Sequence, residues 1–266
     1  MSKDSVPRRE VPLESFVEAL LGAFRSGSFD DPSSLSIDTL TLDQAYAVQS
    51  RIVERRIGQG ESAVGYKVGC TSRAIREQFG LQEPVIGRLM SPHVHEGDTA
   101  LSWSDYVNCA VEAELVFRIG REVPADFPSA ELRTAIESVS AGIEVHNYKF
   151  WYGRPTIQEL VASNAIHACL VVGKERTGPE KLDFEMEGVG LFVDGALAAS
   201  GISAETMGSP LRSLQWLAKR LQDRGEMLRA GDLVIPGSPV RLVSVERGNV
   251  VTGRFSSCGA VRAEFV

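Results

Sequence analysis

Cysteine is scarce in this 266-residue chain. The four present, Cys70, Cys109, Cys169 and Cys258, share no C-x-x-C spacing. That excludes the common zinc and dithiol redox motifs and leaves thiols suited to a reducing compartment. Long apolar runs are missing too. No stretch approaches the roughly 18 residues that a transmembrane helix needs, so no membrane partner is expected. The opening MSKDSVPRREVP has no apolar core, which predicts no secretory signal and a cytoplasmic chain. A basic surplus is lacking as well. Lys+Arg is 28 against Asp+Glu 35, a net charge of −7, whereas nucleic-acid binders carry a basic face. The densest basic run, Arg51–Arg56, is interrupted by Glu54 and reads as a solvated helix face. No nucleic-acid partner is expected. There are no internal repeats and no low-complexity tract.

What is present is ordinary for a globular protein: 43% hydrophobic and 24% charged residues. At roughly 150 residues per domain the length corresponds to about 1.8 domains. A chain this long buries about three quarters of its unfolded surface and needs no disulfide or metal merely to fold.

Leu13, Phe16, Val17, Leu20, Leu21 and Phe24 recur at helical spacing. Ser26-Gly27-Ser28 ends that pattern and a polar loop runs to Ser36. Thr41-x-x-Gln44 forms a capping-box pattern before a second helix reaching about Gly58. Residues 1–60 therefore read as a small helical layer and 61–266 as a β-rich core, together one compact unit. In the core, strands are predicted at 63–70, 111–119, 139–146 and 166–172, with helices over 72–79, 129–138 and 209–224. Asp194-Gly195 between apolar segments signals a hairpin within 190–200. Short strands follow near 232–236, 240–246, 250–256 and 259–265. The fold class is α+β.

The most informative segment is Val111-Glu112-Ala113-Glu114-Leu115-Val116-Phe117. In a strand, Val111, Ala113, Leu115 and Phe117 share one face and Glu112 and Glu114 the other. Two like charges side by side repel unless they face solvent or a cation holds them. Spacing alone leaves both options open. Glu144 also interrupts an apolar strand, with Gly142 and His146 on its face. Three converging carboxylates would suit a hard divalent cation and leave positions for substrate and water. Such a site keeps about one negative charge, so an anionic substrate needs a nearby cation. Lys67, mid-strand in Gly65-Tyr66-Lys67-Val68-Gly69, is either that cation or a snorkelling surface lysine.

These segments, in this order, resemble the fumarylacetoacetate hydrolase superfamily, and within it the 2-keto-4-pentenoate hydratase / 4-oxalocrotonate decarboxylase branch. The resemblance is carried by GYKVGCTSRAIREQFGLQEPVIGRLM (65–90), VEAELVF (111–117), GIEVHNY (142–148), ASNAIHA (162–168), AGDLVIPGS (230–238) and SSCGAVRAEF (256–265). It implies a mixed β-roll or sandwich core and a homo-oligomer. It further implies Mg2+ or Mn2+ on Glu112, Glu114 and Glu144, and Lys67 at the substrate. Asn164, Gly237, Ser238 and Leu89 would line the pocket. The substrate implied is a small anionic 2-keto or 2-hydroxydienoate acid. The activity implied is hydration of a 2-hydroxy-2,4-dienoate to a 4-hydroxy-2-oxo acid.

The sequence departs from that pattern at several acid/base positions. Leu89-Met90-Ser91-Pro92-His93 has no acidic residue, His146-Asn147-Tyr148-Lys149 replaces an acid-plus-arginine stretch, and Ser163-Asn164 replaces Asp-Asn. His146 and His93 could supply proton transfer instead, since an imidazole titrates near neutrality. His167 reads as structural. The departures keep two other readings open. One is decarboxylase, tautomerase or C–C hydrolase chemistry on a related keto acid. The other is a non-catalytic subunit that retains the scaffold.

Overall fold

The computed structural model describes residues 12–26, 36–106, 109–146 and 155–266. The expected loop from Gly27 and the departures at Asn147, Tyr148 and Lys149 lie outside those residues, as does the side chain of Phe24.

Helix α1 (Leu13–Ser26) packs against α2 (Leu42–Gly58). The expected capping box opens α2: Gln44 N–H donates to Thr41 Oγ1, and Thr41 N–H to Gln44 Oε1. Strand β1 (Ser62–Gly69) is followed by α3 (Arg73–Phe79), β2 (Val85–Ser91), β3 (Val94–Glu96) and β4 (Thr99–Leu101). Then come β5 (Ala110–Ile119), β6 (Ile136–His146), α4 (Ile157–Ala162) and β7 (His167–Val172). The chain closes with β8 (Gly188–Val193), β9 (Ala196–Ile202), α5 (Pro210–Gln222), β10 (Leu233–Ile235), β11 (Val243–Ser244), β12 (Val250–Phe255) and β13 (Gly259–Phe265).

The strands form two mixed sheets. One runs β2-β1-β10-β5-β6-β7-β3, with β11 also paired to β5; the other runs β4-β13-β12-β8-β9. Most pairs are antiparallel, but β1/β10, β3/β7 and β4/β13 are parallel. The architecture is the expected mixed α+β sandwich. The hairpin β8/β9 turns at Asp194-Gly195, both with positive φ (51° and 82°), which suits the residue pair found there. Three short strands, β2 to β4, and helix α4 were not foreseen. The segment expected as a helix over 129–138 is a tight 3-10 stretch over Ser129–Ala135 that passes directly into β6.

Alternation along β5 divides its side chains between two cores. Val111, Ala113, Leu115 and Phe117 enter the large core, with Val251, Val261 and Phe265 from the second sheet and Leu214 and Leu217 from α5. On the opposite face Val116 joins Leu89, Leu170, Val172, Leu233 and Ile235. That cluster is the apolar floor on which the acidic residues stand. Each fully buried aliphatic side chain contributes about 1.5–3 kcal/mol, so both faces of this sheet hold it in register. The N-terminal helices bury Phe16, Val17, Leu20, Val48 and Ile52 against Leu160 and Val161 of α4. Gln49 of α2 locks that layer down, donating to Ile86 O (3.0 Å) and Val161 O (2.8 Å). No helix among the described residues is long and apolar enough to cross a membrane.

Candidate active site

Three neighbouring strands place the acidic cluster. In the β5/β6 ladder Glu112 stands directly opposite Glu144, and Glu114 opposite Gly142. Across β6/β7, Glu144 pairs with Leu170, and His146 with His167 after a register shift. Glu112, Glu114, Glu144 and His146 thus share one face of the sheet, as alternation required. Glu114 and Glu144 are buried, at 1% and 0% exposure, while Glu112 is half-buried.

Lys67 comes from β1 and is itself only 3% exposed. Its Nζ lies 2.8 Å from Glu144 Oε1 and donates to Ala165 O at 3.0 Å. Its stem passes over Gly87, where a Cβ would fall 2.8 Å from Lys67 Cγ and equally close to the Asn164 carbonyl oxygen. Any side chain at 87 would push the lysine aside. Ala165 belongs to an unusual turn: Asn164, Ala165 and Ile166 all have positive φ (64°, 50° and 60°) although none is glycine. The turn aims the Ala165 carbonyl at the lysine.

The charges settle unevenly. Burial alone would lower the Lys67 pKa, but Glu144, then Glu114 and Glu112, outweigh it and raise it above that of an ordinary lysine. Burial pushes the Glu114 carboxyl up, and repulsion from Glu144 and Glu112 pushes it further, well above the usual carboxylate range. Burial opposes ionisation of Glu144 as well, but His146, Lys67 and His167 overcome it and hold its pKa well below that range. Without a cation, then, the proton for which the two buried carboxyls compete favours Glu114, and the charge favours Glu144. Gly237 N–H donates to Glu114 Oε2 at 2.8 Å. Gly237 has φ +118°, and a Cβ there would meet Thr71 at 2.5 Å, so this donor requires glycine.

His167, read from sequence as structural, holds a carboxylate of the cluster. Its Nδ1 lies 2.8 Å from Glu144 Oε1, and burial lowers its pKa, so the ring is neutral. The neutral imidazole donates to the carboxylate and fixes it. No local pattern marks the residue; only the β6/β7 pairing brings it to Glu144.

Lys67, Glu112, Glu114, His146 and Ser238 line a cavity of about 520 Å³. Its walls are largely apolar, with Ile75, Leu160, Ile166, Val240 and Leu242, and Arg241 adds a positive group. Ser238 is held by its own backbone contacts, donating to Ala113 O (3.1 Å) and Val240 O (3.0 Å). Two expected pocket residues lie elsewhere. Leu89 shares the sheet face of Gly87 and Lys67 but is fully buried in the apolar floor, under Val116, Leu233 and Ile235. Asn164 spends its amide on β2: Arg88 N–H donates to Oδ1 (2.7 Å), and Nδ2 donates to Arg88 O (2.9 Å). It lines a second, larger cavity of about 720 Å³, together with His93 and His167. Ile166 is the residue shared by the two linings.

The donor set suits a divalent cation. Two buried carboxyls repel each other across the β5/β6 ladder, and Glu144 Oε2 has no hydrogen-bond partner. Ligand atoms of Glu112, Glu144 and His146 all fall within 4.8 Å of one another. A dication could replace the shared proton and satisfy these atoms together.

Residues 82–266 match the fumarylacetoacetate (FAA) hydrolase C-terminal family. The chain belongs to the fumarylacetoacetate hydrolase family. It is an enzyme of that family, and its relatives narrow the branch. It is 30% identical to a 2-keto-4-pentenoate hydratase of Paraburkholderia xenovorans, covering 95% of this chain and 94% of the relative. Identity to the TodF product hydratase of Pseudomonas putida is 32%, covering 93% of each. Among solved structures, 4-oxalocrotonate decarboxylase from Pseudomonas putida G7, complexed with magnesium and adipate, superposes with a TM-score of 0.90 at 25% identity. That match covers 99% of this chain and 100% of the other.

Proposed function

We propose that this enzyme is a divalent-metal-dependent hydratase converting a 2-hydroxy-2,4-dienoate, a 2-keto-4-pentenoate-like acid, to a 4-hydroxy-2-oxo acid. The observation that carries the reading is the cluster of Glu112, Glu114 and Glu144 with Lys67 buried against it, bordering a largely apolar cavity. Hydratases of this name among its relatives, and magnesium in a structure of the same fold, support it.

Glu112, Glu114 and Glu144 would hold the cation. Bound there, Mg2+ or Mn2+ would supply Lewis-acid stabilisation of negative charge developing on the substrate's 2-oxygen. The protein does the rest. Lys67 stays protonated at Nζ and offers a fixed positive charge beside the carboxylates. That offsets the excess negative charge an anionic substrate would meet. His167 and Lys67 clamp Glu144 Oε1 from two sides, so this carboxylate cannot rotate. Ile75, Leu160, Val240 and Leu242 shelter the hydrocarbon tail and limit bulk water. Arg241 is placed to meet further negative charge on a longer substrate.

A second reading, decarboxylation of a related vinylogous keto acid, is favoured by the full-length superposition on 4-oxalocrotonate decarboxylase. Both reactions need the same enolate stabilisation, and product mass separates them. The purified protein, loaded with Mg2+ or Mn2+, is incubated with 2-hydroxypenta-2,4-dienoate and with 4-oxalocrotonate. Gain of one water by the dienoate supports hydration. Release of CO2 with no hydration of the dienoate replaces it with the second reading.

A further inference from the structure

The carboxylate cluster carries a nitrogen donor that the all-oxygen set leaves out. His146 stands on the same strand face as Glu144, two residues on. Its Nε2 lies 3.1 Å from Glu112 Oε2 and 3.4 Å from Glu144 Oε2. Adjacent ligands of an octahedral ion, each about 2.1 Å from the metal, are roughly 3.0 Å apart. Both contacts of Nε2 are therefore close to the edge length of an octahedral site, and the three ligand groups lie within 4.8 Å of one another. Glu114 completes the carboxylate set, with one of its oxygens accepting from Gly237 N–H at 2.8 Å.

We infer that His146 is a metal ligand beside the three glutamates, and that the site selects a first-row transition dication over Mg2+. The inference rests on the cation site proposed above and refines its ligands. Imidazole is a good ligand for transition ions, whereas Mg2+ prefers oxygen throughout. One nitrogen among oxygen donors therefore tilts the site toward Mn2+, Fe2+ or Co2+. A cation bound at Nε2 would require the ring's tautomer protonated at Nδ1. A ring coordinated through Nε2 cannot also serve there as a general base, so His146 leaves the proton-transfer role expected from sequence. His167 and Lys67 support the arrangement from the far side, because both hold Glu144 Oε1 and turn Oε2 toward His146. A ligand carboxylate so clamped is pre-oriented.

The test is pulsed electron paramagnetic resonance on the full-length protein loaded with Mn2+, together with titration calorimetry for Mn2+, Co2+ and Mg2+. The wild type should show nitrogen modulation from a coordinated imidazole and bind Co2+ at least tenfold more tightly than Mg2+. His146→Gln should lose the nitrogen signal and at least tenfold of its Co2+ affinity, with Mg2+ affinity changed less than threefold. Glu114→Gln should keep the nitrogen signal, which preserves the test even if His146→Gln fails to fold. Bound Mn2+ without nitrogen modulation in the wild type overturns the inference and leaves the metal-dependent reading standing. If none of the three ions binds, both are overturned. Nitrogen-coordinated metal with no turnover of dienoate or keto acid overturns the function and leaves the ligand set intact.

Discussion

Glu114→Gln and Glu144→Gln are the same chemical change on adjacent strands, and the structure requires opposite outcomes in the metal-free protein. Glu144 is fully buried and ionised, with Lys67 Nζ at 2.8 Å. Replacing it by an amide leaves the Lys67 charge without its closest counterion, in a site where water cannot compensate. Removing one partner of a buried pair costs about 3–5 kcal/mol. For a chain of this size each kcal/mol corresponds to about 2–4 °C, so the melting temperature should fall by roughly 6–20 °C. Glu114 is protonated, and glutamine reproduces its shape, its acceptor for Gly237 N–H and a donor toward Glu144. That change should cost less than about 1 kcal/mol. The assay is thermal or urea unfolding of both variants after metal removal with EDTA. Equal destabilisation would refute the assignment of the shared proton to Glu114. Added Mn2+ sharpens the contrast, since it should raise the melting temperature of the wild type and raise that of either variant much less.

The pH profile of metal-free stability follows from the same assignment. Glu114 binds a proton in the folded state that the unfolded chain has released, so wild-type stability should fall as pH rises from the ordinary carboxylate range toward the raised Glu114 value; Glu114→Gln should flatten that slope, and an unchanged slope counts against it. Stability from Glu144 runs the other way, present above the ordinary carboxylate pKa and lost only as pH falls through its depressed folded value. Asn164→Ala should cost about 1–3 kcal/mol by freeing the Arg88 backbone, with KM for a 2-keto acid changed less than threefold; a large KM rise at unchanged stability would return Asn164 to substrate contact. Gly87→Ala should lower kcat at least tenfold, about 1.4 kcal/mol, while the protein still folds, because the added carbon collides with the Lys67 stem.

Much of this was readable wherever a local rule decides the outcome. The Thr41/Gln44 capping box, the Asp194-Gly195 turn and the period-2 pattern of β5 involve residues within a few positions of each other. A second capping box, Thr156 with Glu159, opens α4 and was equally legible, but it was missed. The short strands β3 and β4 lie parallel to distant partners, β7 and β13, and three residues carry no period of their own. Asn164, and the partner that His167 holds, were out of reach for a related reason. What each does depends on the element packed against it: the Arg88 backbone for one, the Glu144 carboxylate for the other. Leu89 shows the converse, a position expected in the pocket and on the correct sheet face, but covered by Val116, Leu233 and Ile235.

The left-handed turn at Asn164-Ala165-Ile166 has a consequence for anyone engineering this enzyme. Each such residue is held against an intrinsic penalty of roughly 1–2 kcal/mol. A routine stabilisation search would therefore be drawn to glycine at these positions first. Yet the same three residues aim the carbonyl that anchors Lys67 and supply the single side chain common to both cavities. Relaxing them would exchange catalytic geometry for heat resistance. Selection for thermostability and selection for turnover should pull in opposite directions at this turn.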